Sequence, residues 1–399
     1  MTDTPVTLDW QARTARPTPF DPPEIFGVLR EDRPLRPMTF FDGHVGWLAT
    51  GYQAVRAILA DQRFSTRQDL AHPPHKLFAQ DTGGDGPPPG LFIQMDPPDH
   101  TRYRRLLIGA FTVRRMKQLE TRILQATQDC LDEMERTGPP VDLVGSLALP
   151  LPTVLICELL GIPADIREEF QAATVKVLSL DLSLEDRQQA YVASLGFIAR
   201  LVESKRQKPT DDIYSALING GELTDEELTV LGGLLFGAGF ETTSSLLGLG
   251  AFVLLEHPDQ VKALRDDPTL IDNAVEELLR YPTSPGGMLR TALEDVEIEG
   301  ELIHKGQTVE LLVAAANRDP ARFDDPDTLD ITRSAQGQLS FGHGVHQCLG
   351  QQLARVELRT VFPALFDRFP TLRLAVPARE VPMKDDALVF GVERLPVAW

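Results

Sequence analysis

The run at 228–255, LTVLGGLLFGAGFETTSSLLGLGAFVLL, constrains the fold more than any other part of the chain. It is mostly apolar and long enough to cross a bilayer as a helix. Its middle, however, holds Glu241 beside several hydroxyl side chains, and an ionised group at a bilayer centre costs about 3 kcal/mol or more. Basic flanking residues are also missing. We therefore predict a long helix through the centre of a soluble protein, with a polar group in its middle that indicates function.

Helical periodicity dominates between residues 98 and 282, where apolar residues recur at helical spacing. It returns in LGQQLARVELRTVFPALFDRF. Strand-like runs are fewer, and they are 36–43, 45–51, 296–303, 307–314 and 387–399. The pattern predicts a mainly α chain with small β-sheets, an α+β fold. No linker with a shift in composition divides the chain, so we predict a single domain over residues 1–399.

The composition limits the partners that this chain can have. Its net charge is −19, from 39 Lys and Arg against 58 Asp and Glu, which disfavours nucleic acid and anionic membranes as general partners. Its three cysteines fit no disulfide framework, which indicates a reducing compartment. The N-terminal MTDTPVTLDW lacks an apolar stretch, so we expect no signal peptide and a cytoplasmic protein, most simply a monomer.

A cysteine in the run FGHGVHQCLG, residues 341–350, departs from the usual pattern for a lone cysteine, which is burial in the core. Cys348 comes just before a helical pattern, and a helix N-terminus stabilises a thiolate. His346 is two residues away and can meet an anionic group. The surrounding glycines let the backbone lie close against a flat object, and they are Gly342, Gly344 and Gly350.

This run resembles the haem-binding loop of the cytochrome P450 family, Phe-x-x-Gly-x-His/Arg-x-Cys-x-Gly, at every fixed position. The resemblance implies a bound haem b (iron protoporphyrin IX) with Cys348 as the ligand of the iron. It also implies that Phe341 packs under the ring and that His346 bonds a propionate. Gly342, Gly344 and Gly350 would allow the close approach. With the motifs below, the resemblance extends from about residue 20 to the C-terminus.

Further basic residues match family positions that neutralise the two haem propionates. His100 and Arg104, in DPPDHTRYRRLL, would alone indicate a basic helix face, because they lie four residues apart at a helix start. The family places its His and Arg of this motif on the propionates. Arg290, in MLRTALEDVEIEG, matches another propionate ligand of the family. Buried carboxylates need such partners.

The pair Glu277 and Arg280, in EELLR, lies three residues apart on a predicted helix. Alone, such a pair is usually a solvated surface bridge. It resembles the Glu-x-x-Arg element of the family, which pairs internally with a downstream arginine. Arg333, in DITR, is the candidate partner, and the role implied for all three residues is structural.

The stretch AGFETTSS, residues 238–245, lies in the middle of the long apolar helix. Small and hydroxyl residues there could be a simple packing patch, but the family's distal oxygen-binding stretch has the same pattern. Ala238 and Gly239 would keep the helix close to the iron. The Thr242 hydroxyl can turn to the Ala238 carbonyl and loosen the helix. Glu241 and Thr242 then form a predicted proton route.

Phe240 departs from the family pattern, which commonly has a polar residue at this position. It would either narrow the substrate pocket or pack on the far side of the helix. The small glycines of SPGGML indicate a roomy pocket with an apolar lining and few polar anchors. The predicted pocket residues are Leu235, Phe240, Gly286, Gly287, Met288, Leu289, Leu388, Val389 and Phe390. Core packing is the alternative for each residue taken alone.

The resemblance implies a monooxygenase that hydroxylates or epoxidises a bulky apolar small molecule, such as a macrolide or polyketide, a terpenoid or a steroid. The chain is too short to hold its own reductase and has no clustered cysteines. Electrons would come from a ferredoxin and its NAD(P)H-ferredoxin reductase, which we expect to meet a locally basic surface. Two alternatives stay open: a peroxide-using or aromatic-coupling haem enzyme, and a non-catalytic haem-binding protein. The candidate basic residues are Arg105, Arg114, Arg115, Lys117 and Arg355.

Overall fold

A computed structural model describes residues 4–76, 86–283, 287–384, 387 and 389–399, and for residues 113–116 and 118 it describes the backbone alone. The helices are α1 Trp10–Thr14, α2 Glu24–Asp32, α3 Tyr52–Ala60, α4 Asp99–Ile108, α5 Val113–Thr137, α6 Pro150–Leu160, α7 Arg167–Leu178, α8 Leu184–Gln207, α9 Ile213–Gly220, α10 Asp225–Glu256, α11 Pro258–Asp266, α12 Ile271–Arg280, α13 Val313–Ala316 and α14 Gln351–Arg368. The strands are β1 Leu35–Thr39, β2 Val45–Ala49, β3 Phe64–Ser65, β4 Val141–Asp142, β5 Gly287–Ala292, β6 Val296–Ile298, β7 Glu301–Ile303, β8 Thr308–Leu312, β9 Arg373–Leu374 and β10 Pro396–Ala398. The predicted class, mainly α with small sheets, is confirmed.

Contacts between residues group the chain into two compact units, each made of separate stretches. Unit 1 comprises residues 1–87, 92–102 and 272–349, and unit 2 comprises residues 88–91, 103–271 and 350–399. The expectation of a single domain stays a prediction.

Unit 1 is built on a five-stranded sheet with the order β1-β2-β8-β5-β3. Neighbouring strands are antiparallel except β2 and β8, which are parallel. All five residues of β8 are buried, as expected for a strand covered on both faces. Val309 and Leu311 pack in one apolar cluster with α3, and Leu312 packs in another with Phe26 and Met38. The strand β5 is therefore held between β8 and β3 as part of the core.

Unit 2 is helical and is organised around the 32-residue helix α10. A capping box begins this helix, because the Thr224 hydroxyl accepts from the Glu227 amide while the Glu227 carboxylate accepts from the Thr224 amide. The helix passes the length and hydropathy test for a membrane span, but 78% of its most apolar window is buried inside the protein. The prediction of a central core helix is confirmed.

Gly239 in α10 lies against the neighbouring helix α6. A Cβ atom at this position would lie 2.7 Å from Cγ1 of Ile156, a residue of α6. Real Cβ atoms do not approach so closely, so the glycine permits tight packing of α6 on α10. Helix packing alone therefore requires a small residue here, and the approach of Gly239 to the iron stays a prediction.

A fully buried ion pair in unit 1 joins Glu277 and Arg280 at the end of α12. The Arg280 guanidinium donates two hydrogen bonds of 2.7 Å to the two Glu277 carboxylate oxygens, and both side chains have no exposed surface. Nε of Arg333 lies 3.3 Å from Oε1 of Glu277, so the structure brings the three predicted partners together. Arg280 also donates to the carbonyls of Asn317 and Pro326.

The same network of hydrogen bonds reaches the segment that precedes residues 341–350, which we call the cysteine loop. The Asn317 side chain donates to the Ser340 hydroxyl at 2.9 Å and accepts from the Leu339 amide at 2.8 Å. Ser340 in turn donates to the Leu279 carbonyl on α12. Ser340 directly precedes Phe341. The buried pair therefore holds the start of the cysteine loop in place through hydrogen bonds that pass by way of Asn317 and Ser340.

We expect Glu277→Gln to lower the free energy of unfolding by about 3–5 kcal/mol, because the change leaves the Arg280 charge buried without its counter-ion. Chemical unfolding of the variant and of the wild type measures the difference. Glu301→Gln is a suitable control, since it breaks a half-exposed pair with Arg33 and should cost about 1 kcal/mol or less. Equal losses in the two variants would contradict the assigned importance of the buried pair.

Glu357 on α14 is a buried carboxyl group of unit 2 that has only 1% of its surface exposed. Its Oε2 atom has no hydrogen-bond partner among the described residues. Burial raises the pKa of the Glu357 carboxyl from 4.5 to about 8. Near neutral pH the folded chain therefore keeps a proton that the unfolded chain releases.

We expect rising pH to destabilise the wild type relative to Glu357→Gln, by about 1.4 kcal/mol per pH unit between the two pKa values. Below the pKa of the unfolded chain, the difference in the free energy of unfolding between the two proteins should be constant. Glu357 is then protonated in both the folded and the unfolded wild type. Urea unfolding at a series of pH values measures the slope. Glu120→Gln, at an exposed position of α5, is the control, and a slope shared by the two variants would contradict the buried neutral acid.

Candidate functional site

The cysteine loop of unit 1 is shaped by two glycines with positive φ angles. Gly342 has φ of 67° and Gly344 has φ of 76°. A short 3₁₀ turn covers Gly344–His346, and the Cys348 amide donates a 2.8 Å hydrogen bond to the Phe341 carbonyl. This bond closes the loop and presents an exposed Cys348 three residues before α14 begins.

The three cysteines differ in what their thiols can do. Burial raises the pKa of the Cys130 thiol to about 11 and that of the Cys157 thiol to about 12, so both stay protonated at neutral pH. Cys348 is exposed, and a thiolate is the form that binds metal. Among the residues that the structure describes, no group of three or more His, Cys, Asp or Glu side chains could hold a metal ion.

The glycines of the loop meet different surroundings. A Cβ atom on Gly342 or Gly350 would have nothing within 4 Å, which leaves space for a flat group. A Cβ atom on Gly344 would instead lie 2.5 Å from the Leu59 carbonyl oxygen at the end of α3. Gly344 therefore lets the loop pack on α3, and its predicted approach to the haem stays a prediction.

Basic side chains of unit 1 fit an anionic group. Arg290 on β5 is 7% exposed, and burial lowers the pKa of its guanidinium to about 10, although the nearby Asp96 carboxylate opposes the shift. His100, at the start of α4, is 1% exposed, and its ring centroid lies 4.1 Å from that of His346. A desolvated guanidinium such as that of Arg290 suits a partner with carboxylates. Arg104 lies one turn after His100 on α4 and is assigned to unit 2.

In unit 2, one narrow face of α10 stays open although the helix is largely buried. Ala238 and Thr242 are exposed, and Leu235 lies on the same face at helical spacing. The Thr242 hydroxyl donates a 2.7 Å hydrogen bond to the Ala238 carbonyl, as the sequence predicted. The helix is nevertheless continuous from Asp225 to Glu256, so the predicted loosening produces no break.

Glu241 lies beside this open face but is itself largely buried. Its Oε1 atom accepts a 2.7 Å hydrogen bond from Nζ of Lys384, a residue near the C-terminus. Sequence reasoning missed Lys384. The residue stands in PMKDDALVF with no motif around it and is more than a hundred residues from Glu241, so no local signal marks the pair.

Phe240 packs on the far side of α10, the second of the two alternatives. It has no exposed surface, and its ring centroid lies 4.9 Å from that of Phe236, which stacks on Phe170. Phe240 follows Ala238 by two positions and therefore lies about 200° around the helix from it. The ring belongs to an aromatic core cluster, and the prediction of Phe240 as a pocket residue is wrong.

The remaining predicted pocket residues are only partly placed. Gly286 and Leu388 lie outside the described residues. Met288 and Leu289 are neighbours on β5 and are half-buried against different apolar clusters, so only one of them can face a given ligand. A Cβ atom on Gly287 would lie 2.6 Å from Oε1 of the buried Glu310, so Gly287 gives space to that carboxylate as well. Val389 and Phe390 are half-buried in unit 2.

These residues suit oxygen chemistry at a thiolate-ligated haem. An exposed thiol in a rigid loop, desolvated basic groups of unit 1 and an open hydroxyl beside a buried carboxylate in unit 2 are the parts that such chemistry requires. The fold and the sequence motif around Cys348 are those of a haem-thiolate protein.

Comparison with known proteins agrees with this class. The family model for Cytochrome P450 matches residues 179–397. Cytochrome P450 105C1 of Streptomyces sp is 46% identical over 399 residues, with 99% of each chain covered. The 6-deoxyerythronolide B hydroxylase of Saccharopolyspora erythraea is 41% identical, covering 93% of this chain and 94% of the relative. The crystal structure of CYP105P1 in complex with filipin I superposes with a TM-score of 0.91 at 40% identity, covering 100% of this chain and 99% of that one.

The chain therefore belongs to the cytochrome P450 family and is a P450 monooxygenase. Membership implies a haem cofactor, which the residues around Cys348 fit.

We expect Gly344→Ala to be more harmful than Gly342→Ala. Both changes place a side chain at a positive φ, which costs about 1 kcal/mol. Only the Gly344 variant also drives a Cβ atom into the Leu59 carbonyl, and that collision should cost about 2 kcal/mol or more in addition. Unfolding midpoints measure the difference. Equal losses in both variants would contradict the packing role of Gly344.

Proposed function

We propose that this P450 hydroxylates or epoxidises a bulky apolar small molecule in secondary metabolism. The observation that carries the proposal is the open face of α10, where the exposed Thr242 lies beside apolar Leu235 and Ala238 and next to the carboxylate of Glu241. A hydroxyl and a carboxylate at a water-accessible point of a buried helix suit proton delivery to oxygen. A non-catalytic haem protein has no use for this pair.

We assign Cys348 as the axial ligand and haem b as the cofactor. When bound, haem with a thiolate ligand supplies dioxygen activation and oxygen transfer. His100, Arg104, Arg290 and His346 would hold the propionates, and the low pKa of the desolvated Arg290 guanidinium supports an anionic partner there. Gly342 and Gly350 leave the space that a flat ring needs.

The chain's own contribution to the chemistry is proton handling. The Thr242 hydroxyl is the exposed proton donor, and its bond to the Ala238 carbonyl holds it in a defined rotamer. Glu241 is the acid that restores the proton on Thr242, taking it in turn from solvent.

The substrate class follows from the apolar lining and from the relatives. Leu235, Met288, Val389 and Phe390 would offer apolar contacts with few polar anchors. Similar proteins include a 6-deoxyerythronolide B hydroxylase, a pentalenic acid synthase and a P450 solved with filipin I. These names support a macrolide, polyketide or terpenoid scaffold for this enzyme.

We also propose a ferredoxin and its NAD(P)H-dependent reductase as the electron source. Lys117 is exposed on α5, where its ammonium group can meet an acidic partner. The Arg355 guanidinium contacts Gln351 on α14 and is partly buried. Arg105 is a poorer candidate than the sequence indicated, because it pairs with Glu222 at 3.1 Å. The side chains of Arg114 and Arg115 lie outside the described part of the structure.

The deciding experiment measures product formed per NADPH with a ferredoxin and its reductase, after a spectral titration has identified a ligand that shifts the haem spin state. We expect Thr242→Ala to lower this ratio by about a hundredfold, the typical contribution of a positioned proton donor. The NADPH that is lost should appear as hydrogen peroxide.

A matched control for Thr242 exists on the same helix. Thr229 is half-buried on α10 and bonds the Asp225 carbonyl at 2.7 Å, as Thr242 bonds the Ala238 carbonyl. Thr229→Ala should leave the coupling ratio unchanged. Full coupling in Thr242→Ala would contradict the proton route, and turnover driven better by peroxide than by ferredoxin would favour the peroxide-using alternative.

A further inference from the structure

The carboxylate of Glu241 is fixed by a lysine from a distant part of unit 2. Nζ of Lys384 lies 2.7 Å from Oε1 of Glu241, and the two side chains are 20% and 7% exposed. Long exposed side chains make weak and mobile ion pairs, but this pair is mostly shielded from water. Its geometry is therefore better defined than that of a surface bridge.

The backbone around Lys384 is held by a short antiparallel pairing, which we name the C-terminal pairing and define as residues 382–384 with 391–393. The Lys384 amide donates to the Gly391 carbonyl at 2.8 Å, and the Glu393 amide donates to the Pro382 carbonyl at 2.9 Å. Met383 and Val392 form an antiparallel bridge. Lys384 thus approaches Glu241 from a backbone whose position is already set.

The C-terminal pairing packs directly on α10. A Cβ atom on Gly391 would lie 2.7 Å from the Ser245 hydroxyl and 2.9 Å from its Cβ atom. One further turn along, a Cβ atom on Gly248 would be 3.7 Å from Cβ of Val392. Glu241, Ser245 and Gly248 form one stripe of the helix, so the pairing lies along the stripe and Lys384 reaches its first residue.

We propose that Lys384 is a positioning residue for Glu241. The proposal rests on the proposed role of Glu241 in proton delivery. A carboxylate that is 7% exposed loses most of its hydration, and the ammonium group replaces it with a charge and a directed hydrogen bond. Lys384 selects one rotamer of Glu241 and keeps the acid beside Thr242. The partly exposed ammonium group also gives Glu241 its contact with solvent.

The pairing connects this acid to the predicted substrate contacts. Val389 and Phe390 directly precede Gly391 in the chain, and Gly391 bonds the Lys384 backbone. Lys384 is thus joined through the backbone to the segment that carries two of the predicted substrate contacts.

The test compares Lys384→Met, Lys384→Arg and the wild type in the reconstituted holoenzyme. We expect Lys384→Met to lower product per NADPH about tenfold through misplacement of the acid, with the ligand dissociation constant from spectral titration changed less than about twofold. Lys384→Arg should restore most of the coupling, because it keeps the charge and the hydrogen bond. Lys262→Met is the control, since it removes a lysine that pairs with Asp266 on the surface of α11.

A second readout does not depend on turnover. In a double-mutant cycle, Lys384→Met and Glu241→Gln should each destabilise the holoenzyme, and the double variant should lose less than the sum. The interaction between the two positions should amount to roughly a tenfold change in the unfolding equilibrium constant. If Lys384→Met does not fold, Lys384→Gln is used in the same cycle.

Three results would overturn the proposal. They are additive effects in the cycle, unchanged coupling in Lys384→Met, and loss of coupling in Lys384→Arg as large as in Lys384→Met. If Thr242→Ala uncouples turnover while Lys384→Met does not, the proposed function stands and the role of Lys384 fails. If neither variant uncouples turnover, the proton route itself fails.

Discussion

The ion pair between Glu277 and Arg280 is the contact on which the geometry of unit 1 depends. Two charges with no exposed surface are tolerable only when every donor and acceptor is satisfied. Arg280 therefore takes backbone carbonyls at Asn317 and Pro326, and Asn317 in turn fixes Leu339 and Ser340. Burial of the pair is costly unless these hydrogen bonds form, and the bonds in turn fix the backbone up to the start of the cysteine loop. A hydrophobic pair of the same volume would fill the core but would not direct this segment.

The parts of the molecule that could be predicted from sequence are those where one local pattern decides the structure. The apolar run at 228–255 could only be a buried helix or a membrane span, and its polar centre decided between them. The spacing of Glu277, Arg280 and Arg333, together with the family pattern, anticipated a trio that the structure brings together. The strands β2 and β8 lie inside the predicted strand runs, and β1 begins one residue before its predicted run.

The parts that escaped prediction depend on neighbours that are distant in the sequence. The strand β5, Gly287–Ala292, has little strand character of its own and is a strand because β8 and β3 pair with it. The run at 387–399 was predicted as one strand, but only Pro396–Ala398 pairs regularly, in the three-stranded sheet with β4 and β9. The sequence marks Gly239 and Gly344 as positions that need a small residue. The atoms that would collide with a larger side chain there belong to Ile156 and Leu59, which lie on other elements. Phe240 was misplaced because helical spacing does not reveal which face meets an aromatic cluster.

The contrast among the three cysteines has a practical consequence for handling the protein. Two of the thiols are held protonated by their surroundings and react slowly with electrophiles, whereas Cys348 is exposed. Coordination to iron would remove that one sulfur from reaction. The number of thiols per chain that react quickly with a maleimide under native conditions then equals the fraction of molecules that lack the cofactor. The same exposure makes the cofactor-free chain the form most readily lost to oxidation during purification.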